Sequence, residues 1–236
     1  MVTCAKTKKM AKSNKKENLK GFENVEETLT RTEQFLEDNY KPLLYVLAAI
    51  VVAVGVIWIG KMRINSKARE AVSQMYVAED YFAKDSFDLA LYGDGNYLGF
   101  IDIAEDYKST KPGNIANYYA GVCYLNLGEY EDAIDYLVRF KKKDKVLSPV
   151  ALGCIGDAWV ELGDTGKGIE FYNKAALFTE NDFYSPIYLM KAGQLHELAG
   201  DYAKALEKYE TIKKNYPESN EGNNIDKYIA RVNNMN

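Results

Sequence analysis

Three segments of the chain carry the same spacing of small residues, and that spacing limits the fold more than any other feature. AGVCYLNLGEYEDAIDYL from Ala120, IGDAWVELGDTGKGIEFY from Ile155 and AGQLHELAGDYAKALEKY from Ala192 bring Gly121, Gly156 and Gly193 into register. Gly128, Gly163 and Gly200 then coincide, as do Ala133, Gly168 and Ala205, at periods of 35 and 37 residues. A self-similar period of this length marks stacked helical pairs, each too small to bury its apolar face alone. The first and last small residues of a unit let its two helices approach closely, and Tyr124, Trp159 and His196 fill the space between them. The middle glycine ends the first helix in a left-handed conformation. Pro149 and Pro186 suit a first helical turn, and Pro217 stops the second helix of the third unit. His196 is expected in the core or at a groove edge, not as a catalytic base.

A weaker unit comes first, with Ala78, Tyr81, Asp85, Phe87 and Ala90 at the equivalent positions. Ala90 to Ala133 is 43 residues, nine more than a 34-residue repeat, and the excess falls on GDGNYLGF, Gly93 to Phe100. The second helix of this unit is predicted to break there and resume as FIDIAEDY. At the other end, NNIDKYIARVNNM places Ile225, Tyr228, Ile229 and Val232 on one face, the pattern of a helix that caps an open stack. Together these units resemble the tetratricopeptide repeat (TPR). The resemblance implies three clear repeats over 114–148, 149–185 and 186–219, a degenerate first repeat with its insertion within 62–113, and a capping helix within 220–236.

Ahead of the repeats, Leu43 to Gly60 are 18 residues without a charge, bounded by Lys41 and Lys61. The run is apolar all round, with Tyr45 and Trp58 near its ends, and predicts a transmembrane helix over 42–61; a buried core helix keeps a polar stripe. It starts late and continues into KMRINSKAR, so it is expected to stay as an anchor. The lysine-rich residues 1–21 are expected to be disordered. Phe22, Val25, Leu29 and Leu36 predict a juxtamembrane amphipathic helix over 22–41. The expected fold class is therefore all-α: a single transmembrane helix followed by a TPR superhelix. Nine basic residues precede the span, and Lys61, Arg63, Lys67 and Arg69 follow it closely. Counting the whole tail and counting locally give opposite orientations, so charge leaves the orientation open.

Residues 61–236 hold 21 basic and 27 acidic side chains, a balance that argues against nucleic acid. Cys4, Cys123 and Cys154 are too few and too scattered for a disulfide framework or a metal site. In GDGNYLGF the glycines fall at 93, 95 and 99, one residue away from G-x-G-x-x-G, and no strand precedes them. The stretch lacks Gly-Lys-Ser/Thr, and Asp94 with Asn96 is only a fragment of a calcium loop. It reads as a structural break, a partner-contacting loop or a ligand loop, with Asp94, Asn96 and Tyr97 available for docking. No catalytic residue, cofactor or metal is expected, and the chain does not read as an enzyme.

The resemblance to TPR arrays implies that side chains of each first helix line a partner-binding groove. Here these are Ile115, Tyr118, Val122, Leu125 and Asn126; Asp157, Val160 and Glu161, with Val150 and Gly153; and Ile187, Met190, Gln194 and Glu197, with Leu198. Some of them only pack against neighbouring repeats. Members that clamp a C-terminal carboxylate use Lys and Asn at two of these positions, where this chain has Tyr118 and Val122, Gly153 and Asp157, and Met190 and Gln194. The departure points to apolar or basic peptide segments as partners.

The order of basic tail, single span, TPR array and cap resembles the membrane-anchored TPR proteins of bacterial envelopes. GDGN..LGF, NYYAG.CYLNLG and IDKYIAR resemble the Bacteroidetes-type members, and the chain is more distantly similar to the YfgM-like ancillary subunit of the Sec translocon. The resemblance implies a cytoplasmic N-terminus, a single pass through the inner membrane by residues 43–60, and a periplasmic TPR domain. The implied partners are Sec subunits, periplasmic chaperones or exported chains. The alternative it leaves open is a structural subunit of a stable envelope assembly.

Overall fold

The computed structural model describes the backbone of residues 3–235 and the side chains of residues 39–235. The expectations for the basic tail (1–21) and for most of the juxtamembrane helix (22–41) lie outside the described side chains. The chain divides into two units, Met1–Met62 and Arg63–Asn236. Helix α1, Thr3–Ala83, is interrupted at Asn39 (φ −117°, ψ 16°), three residues before Pro42. Proline has no N–H for the preceding turn and its ring crowds that turn's carbonyl, which accounts for the break. From Asn39 onward α1 is long and apolar enough to cross a membrane, and none of its most apolar window is buried. Leu44 and Trp58, for example, are 63% and 67% exposed, so the described residues do not cover this stretch.

Three helix pairs follow the degenerate unit: α4 (Lys111–Leu127) with α5 (Tyr130–Arg139), α6 (Leu147–Glu161) with α7 (Thr165–Leu177), and α8 (Tyr184–Leu198) with α9 (Tyr202–Asn215). One turn chemistry joins each pair. Gly128, Gly163 and Gly200 take φ of 83°, 83° and 77°, which costs glycine nothing. The next residue's N–H then returns to a carbonyl of the last helical turn: Glu129 to Tyr124, Asp164 to Trp159 and Asp201 to His196, each at 2.9 Å. Asp164 and Asp201 also open the following helix, their carboxylates accepting from the N–H of Lys167 and Lys204. One aspartate thus closes one helix and starts the next.

The first unit obeys the same rule without its glycine. Asp85 adopts φ 56° where the later repeats have Gly, and the Ser86 N–H returns to Tyr81 O at 2.9 Å. Aspartate tolerates this conformation better than most residues. The second helix is then split into α2 (Phe87–Tyr92) and α3 (Phe100–Asp106) by GDGNYLG. Both halves contribute to one core with α1 and α4, built from Met75, Ala78, Leu91, Phe100, Ile103 and Cys123. Phe82 meets Phe87, Phe100 and Tyr119 edge-on, and Phe100 stacks on Tyr119 at 4.9 Å between centroids.

The core continues along the repeats through Leu137, Phe140, Ala151 and Ile155, then through Tyr172, Tyr188, Leu195 and Tyr209. It ends under α10 (Ile225–Asn233), entered through a single 3-10 turn at Gly222–Asn224. Ile225 and Val232 of α10 are buried and Tyr228 and Ile229 pack beside them, so the expected apolar face is the one that caps the stack. Among the described residues there is no strand.

The split in the first unit depends on Gly99, where a Cβ would lie 2.0 Å from the Leu91 carbonyl oxygen. Backbone cannot move aside as a side chain can. Gly99→Ala is expected to destabilise the repeat domain by about 2–3 kcal/mol. Gly166→Ala, whose nearest neighbour is Asp164 Oδ1 at 3.6 Å, should leave it unchanged or slightly more stable. Thermal unfolding followed by circular dichroism on both variants checks the contrast.

Candidate partner-binding groove

The first helices α4, α6 and α8 stand side by side, and the residues expected to line their shared face do not all remain available. On α4, Ile115, Tyr118, Val122 and Leu125 are half-buried and Asn126 is exposed. Tyr118 meets the rings of Tyr119 at 5.5 Å and Phe140 at 5.7 Å, and Val122 packs with it against the Leu137–Ile155 core. Burial pushes the Tyr118 hydroxyl well above its ordinary range, so it stays protonated and serves as a hydrogen-bonding apolar surface.

On α6, Gly153 leaves a slot that the next repeat fills, since a Cβ there would lie 2.2 Å from the Tyr188 ring. Asp157, half-buried one turn further on, accepts from Tyr172 Oη at 2.5 Å and from Lys191 Nζ at 2.6 Å. Tyr172 comes from α7 and Lys191 from α8, so one carboxylate links three helices. Lys191 also lies over the Tyr172 ring at 5.3 Å, and Tyr172 stacks on Tyr188 at 6.3 Å. The Asp157–Lys191 side chains remain 33% and 39% exposed, so the pair contributes little stability and can exchange partners. Val160 packs over Gly168, and Glu161 is exposed.

On α8, Met190 is buried and Ile187 half-buried, which makes them floor and packing, whereas Gln194 is exposed. Glu197 is already occupied. Arg231 of α10 grips it with two nitrogens, Nε to Oε1 at 2.6 Å and Nη2 to Oε2 at 2.8 Å, and Tyr209 Oη donates to Oε2 at 2.9 Å. Beyond it Leu198 is 84% exposed. The accessible groove is thus a polar rim of Asn126, Glu161 and Gln194 around the Asp157–Lys191 pair, above an aromatic and apolar floor. His196 is buried, and desolvation holds its imidazole below the ordinary value, so it is a neutral core side chain. Cys123 is buried and Cys154 half-buried, and desolvation pushes both thiols up to about 12, away from thiolate chemistry.

In the insertion loop Asp94, Asn96 and Tyr97 are exposed, but Asp94 is committed. Its carboxylate accepts from the N–H of Asn96 and Tyr97 and from Tyr81 Oη, each at 2.9 Å. These bonds hold the carboxyl below its ordinary value. Asp94 therefore ties the loop to α1, which leaves Asn96 and Tyr97 as its open side chains. Among the described residues no cluster of His, Cys, Asp and Glu is set to hold a metal ion.

Sequence reasoning missed Tyr172, Lys191 and Arg231. A usable signal exists in the spacing: Lys191 lies 34 residues after Asp157 and Arg231 lies 34 after Glu197, within three residues of the array's 35- and 37-residue periods.

The tetratricopeptide repeat family model matches residues 116–144 and 188–219, parts of the α4–α5 and α8–α9 pairs. A Podosopora anserina protein with nearly identical TPR-like repeats, described as a kinesin light chain, superposes with a TM-score of 0.53 at 11% identity. The alignment covers 72% of this chain and 87% of that one. The MamA protein gives 0.46 at 19% identity, over 70% and 88%. No curated protein matches the chain. The fold is that of a TPR array; at 11% identity the structural likeness establishes the fold alone.

The capping contact predicts a pH response. Burial works to raise the Glu197 carboxyl, but hydrogen bonds from Arg231 and Tyr209 outweigh it and leave the group below its ordinary value. A carboxyl depressed in the folded state stabilises above the unfolded value, and the contribution is lost as pH falls through the folded one. Amide exchange in residues 225–233 is expected to accelerate, relative to α6, between pH 6 and pH 3.5 (about one pH unit below the ordinary carboxyl value). Arg231→Ala should accelerate it already at pH 6.

Proposed function

We propose that the chain is a single-pass membrane scaffold whose TPR groove holds other proteins at the Sec translocon, with periplasmic chaperones or exported chains as its clients. The observation that carries this reading is the state of the groove. Its rim side chains Asn126, Glu161 and Gln194 are exposed, and Asp157 with Lys191 forms an exchangeable pair over the Tyr118, Tyr188 and Met190 floor. Such a surface suits an extended or helical segment with apolar anchors and an occasional charge, which is a binding task and not a catalytic one. The unburied apolar stretch of α1 supports the anchored half of the reading, with residues 43–60 in the inner membrane, the tail cytoplasmic and the array periplasmic. Anchoring would raise the local concentration of groove and translocon together.

A second reading is a permanent subunit of an envelope assembly, in which exposed apolar side chains such as Leu198, Leu177 and Phe183 would be covered. The test uses photoreactive residues at Glu161 and Gln194 in the full chain in its own membranes, with Glu170 on the outer helix layer as control. Adducts of Sec subunits or exported chains from the two groove positions, and none from Glu170, are expected. Adducts containing neither would overturn the proposal. A fixed-stoichiometry complex that survives dilution in mild detergent would replace it with the second reading.

A further inference from the structure

Charge is concentrated on one edge of the repeat domain. Residues 107–115 and 140–147, the turn before α4 and the link between α5 and α6, hold six lysines and one acid in a domain that is acidic as a whole. Lys108, Lys111, Lys141, Lys143 and Lys145 are exposed. Among the described residues none of these five forms an ion pair, whereas Lys84, Lys167, Lys174, Lys191, Lys204 and Lys213 each reach a carboxylate. The one acid, Asp144, accepts from the N–H of Val146 and Leu147 at 2.7 and 2.8 Å and lines the same cleft as four of the lysines.

The two segments form one surface. Asn114 of α4 exchanges hydrogen bonds with the backbone of Lys141, at 2.7 Å from the Lys141 N–H and 3.4 Å to its carbonyl. Lys108, Lys111, Lys141 and Lys143 line one open cleft, and Lys143 and Lys145 share the next with Leu177, Phe178 and Glu180. Val146 and Phe183, on this link and the following one, are 56% and 66% exposed. Counting Glu105, Asp106, Asp144 and Glu180, which line these clefts or the adjoining one, the edge still carries more lysine and arginine than acid, and its lysines hold no ion pair among the described residues. A cationic excess beside exposed aromatic and aliphatic side chains is the composition of a surface that enters a lipid headgroup region. The position agrees. This is the edge at which α4, α6 and α8 begin. Only ten residues, 61–70, lie between Gly60 at the end of the uncharged run and Ala71, the first buried core residue of the repeat domain. Arg63, Lys67 and Arg69, all exposed, lie on that connecting stretch.

We propose that this edge docks on the anionic phospholipid headgroups of the bilayer that holds α1, with the free lysines on phosphate and Val146 and Phe183 in the interface. The proposal rests on the anchored reading given above. Nucleic acid is disfavoured by the acidic remainder of the domain, and an acidic protein has no tether to bring it there. Attraction of lysine to an anionic surface decays within a Debye length of about 8 Å at physiological salt, so the contact is expected to weaken as salt rises.

The full chain is reconstituted in vesicles of phosphatidylcholine alone and of phosphatidylcholine mixed with phosphatidylglycerol. Lysines are acetylated by a water-soluble reagent and read individually by mass spectrometry. In the anionic vesicles Lys108, Lys141, Lys143 and Lys145 are expected to react about tenfold more slowly, with recovery in high salt, while Lys214 and Lys227 are unchanged. Lys141→Glu with Lys143→Glu should abolish the difference at the remaining positions. Equal labelling in the two bilayers, in a chain that resists alkaline extraction, overturns the proposal and leaves the anchor standing. Protection that needs added acidic protein or DNA overturns it too. A chain stripped by alkali from both bilayers refutes the anchor instead; flotation with anionic vesicles alone then supports the edge, and flotation with neither refutes it.

Discussion

Each helix pair of the array rests on a crossing where a side chain is missing. At Gly121, Gly156 and Gly193 the space a Cβ would occupy is taken by Leu137, Tyr172 and Tyr209, within 2.5–2.7 Å. A larger residue would push the second helix outward at a point where interiors pack as densely as crystals. In two of the three repeats the intruding side chain is a tyrosine whose hydroxyl goes on to a groove acid, Tyr172 to Asp157 and Tyr209 to Glu197. The approach that closes the core therefore also aims a donor at the groove. The close crossing and the placing of the tyrosine donor are one geometry here.

The electrostatics follow from that coupling. Asp157 and Glu197 each take a tyrosine hydroxyl from their own repeat and a cation from the next element, Lys191 or Arg231. The two arrangements differ in solvent access and geometry. Asp157 faces one flexible ammonium in a half-open setting, while Glu197, with its side chain 14% exposed, faces a guanidinium fork. Planar two-point contacts hold their geometry and single ammonium contacts do not, so the first pair can reopen and the second acts as a fastening. Asn126, Glu161 and Gln194 are left as the exposed polar surface, Asn126 with its amide donating to the Val122 carbonyl at 2.8 Å.

The repeat register was legible in the sequence because its signals are backbone requirements repeated at fixed spacing. A left-handed residue after the first helix, and room for a neighbour at the crossing, recur whatever the surrounding side chains are. Even the degenerate unit could be placed, since Asp85 substitutes for the turn glycine and Ala78 for the crossing one. The groove was less legible. Helix position shows which side of α4, α6 or α8 a residue faces but not what comes back from elsewhere in the chain to meet it, so Met190 and Glu197 looked as available as Gln194. The insertion loop shows the same limit: Asp94 read as an open acid, and its partner Tyr81 lies thirteen residues earlier across a helix turn. Local pattern gives the direction of a side chain, and long-range pairing decides whether it is free.

The capping helix does more than cover the last core. Arg231 joins α10 to α8 by holding both carboxylate oxygens of Glu197, so a side chain expected to serve a partner is engaged inside the fold. The closure of the stack and the charge of its last repeat are therefore fixed by a single contact.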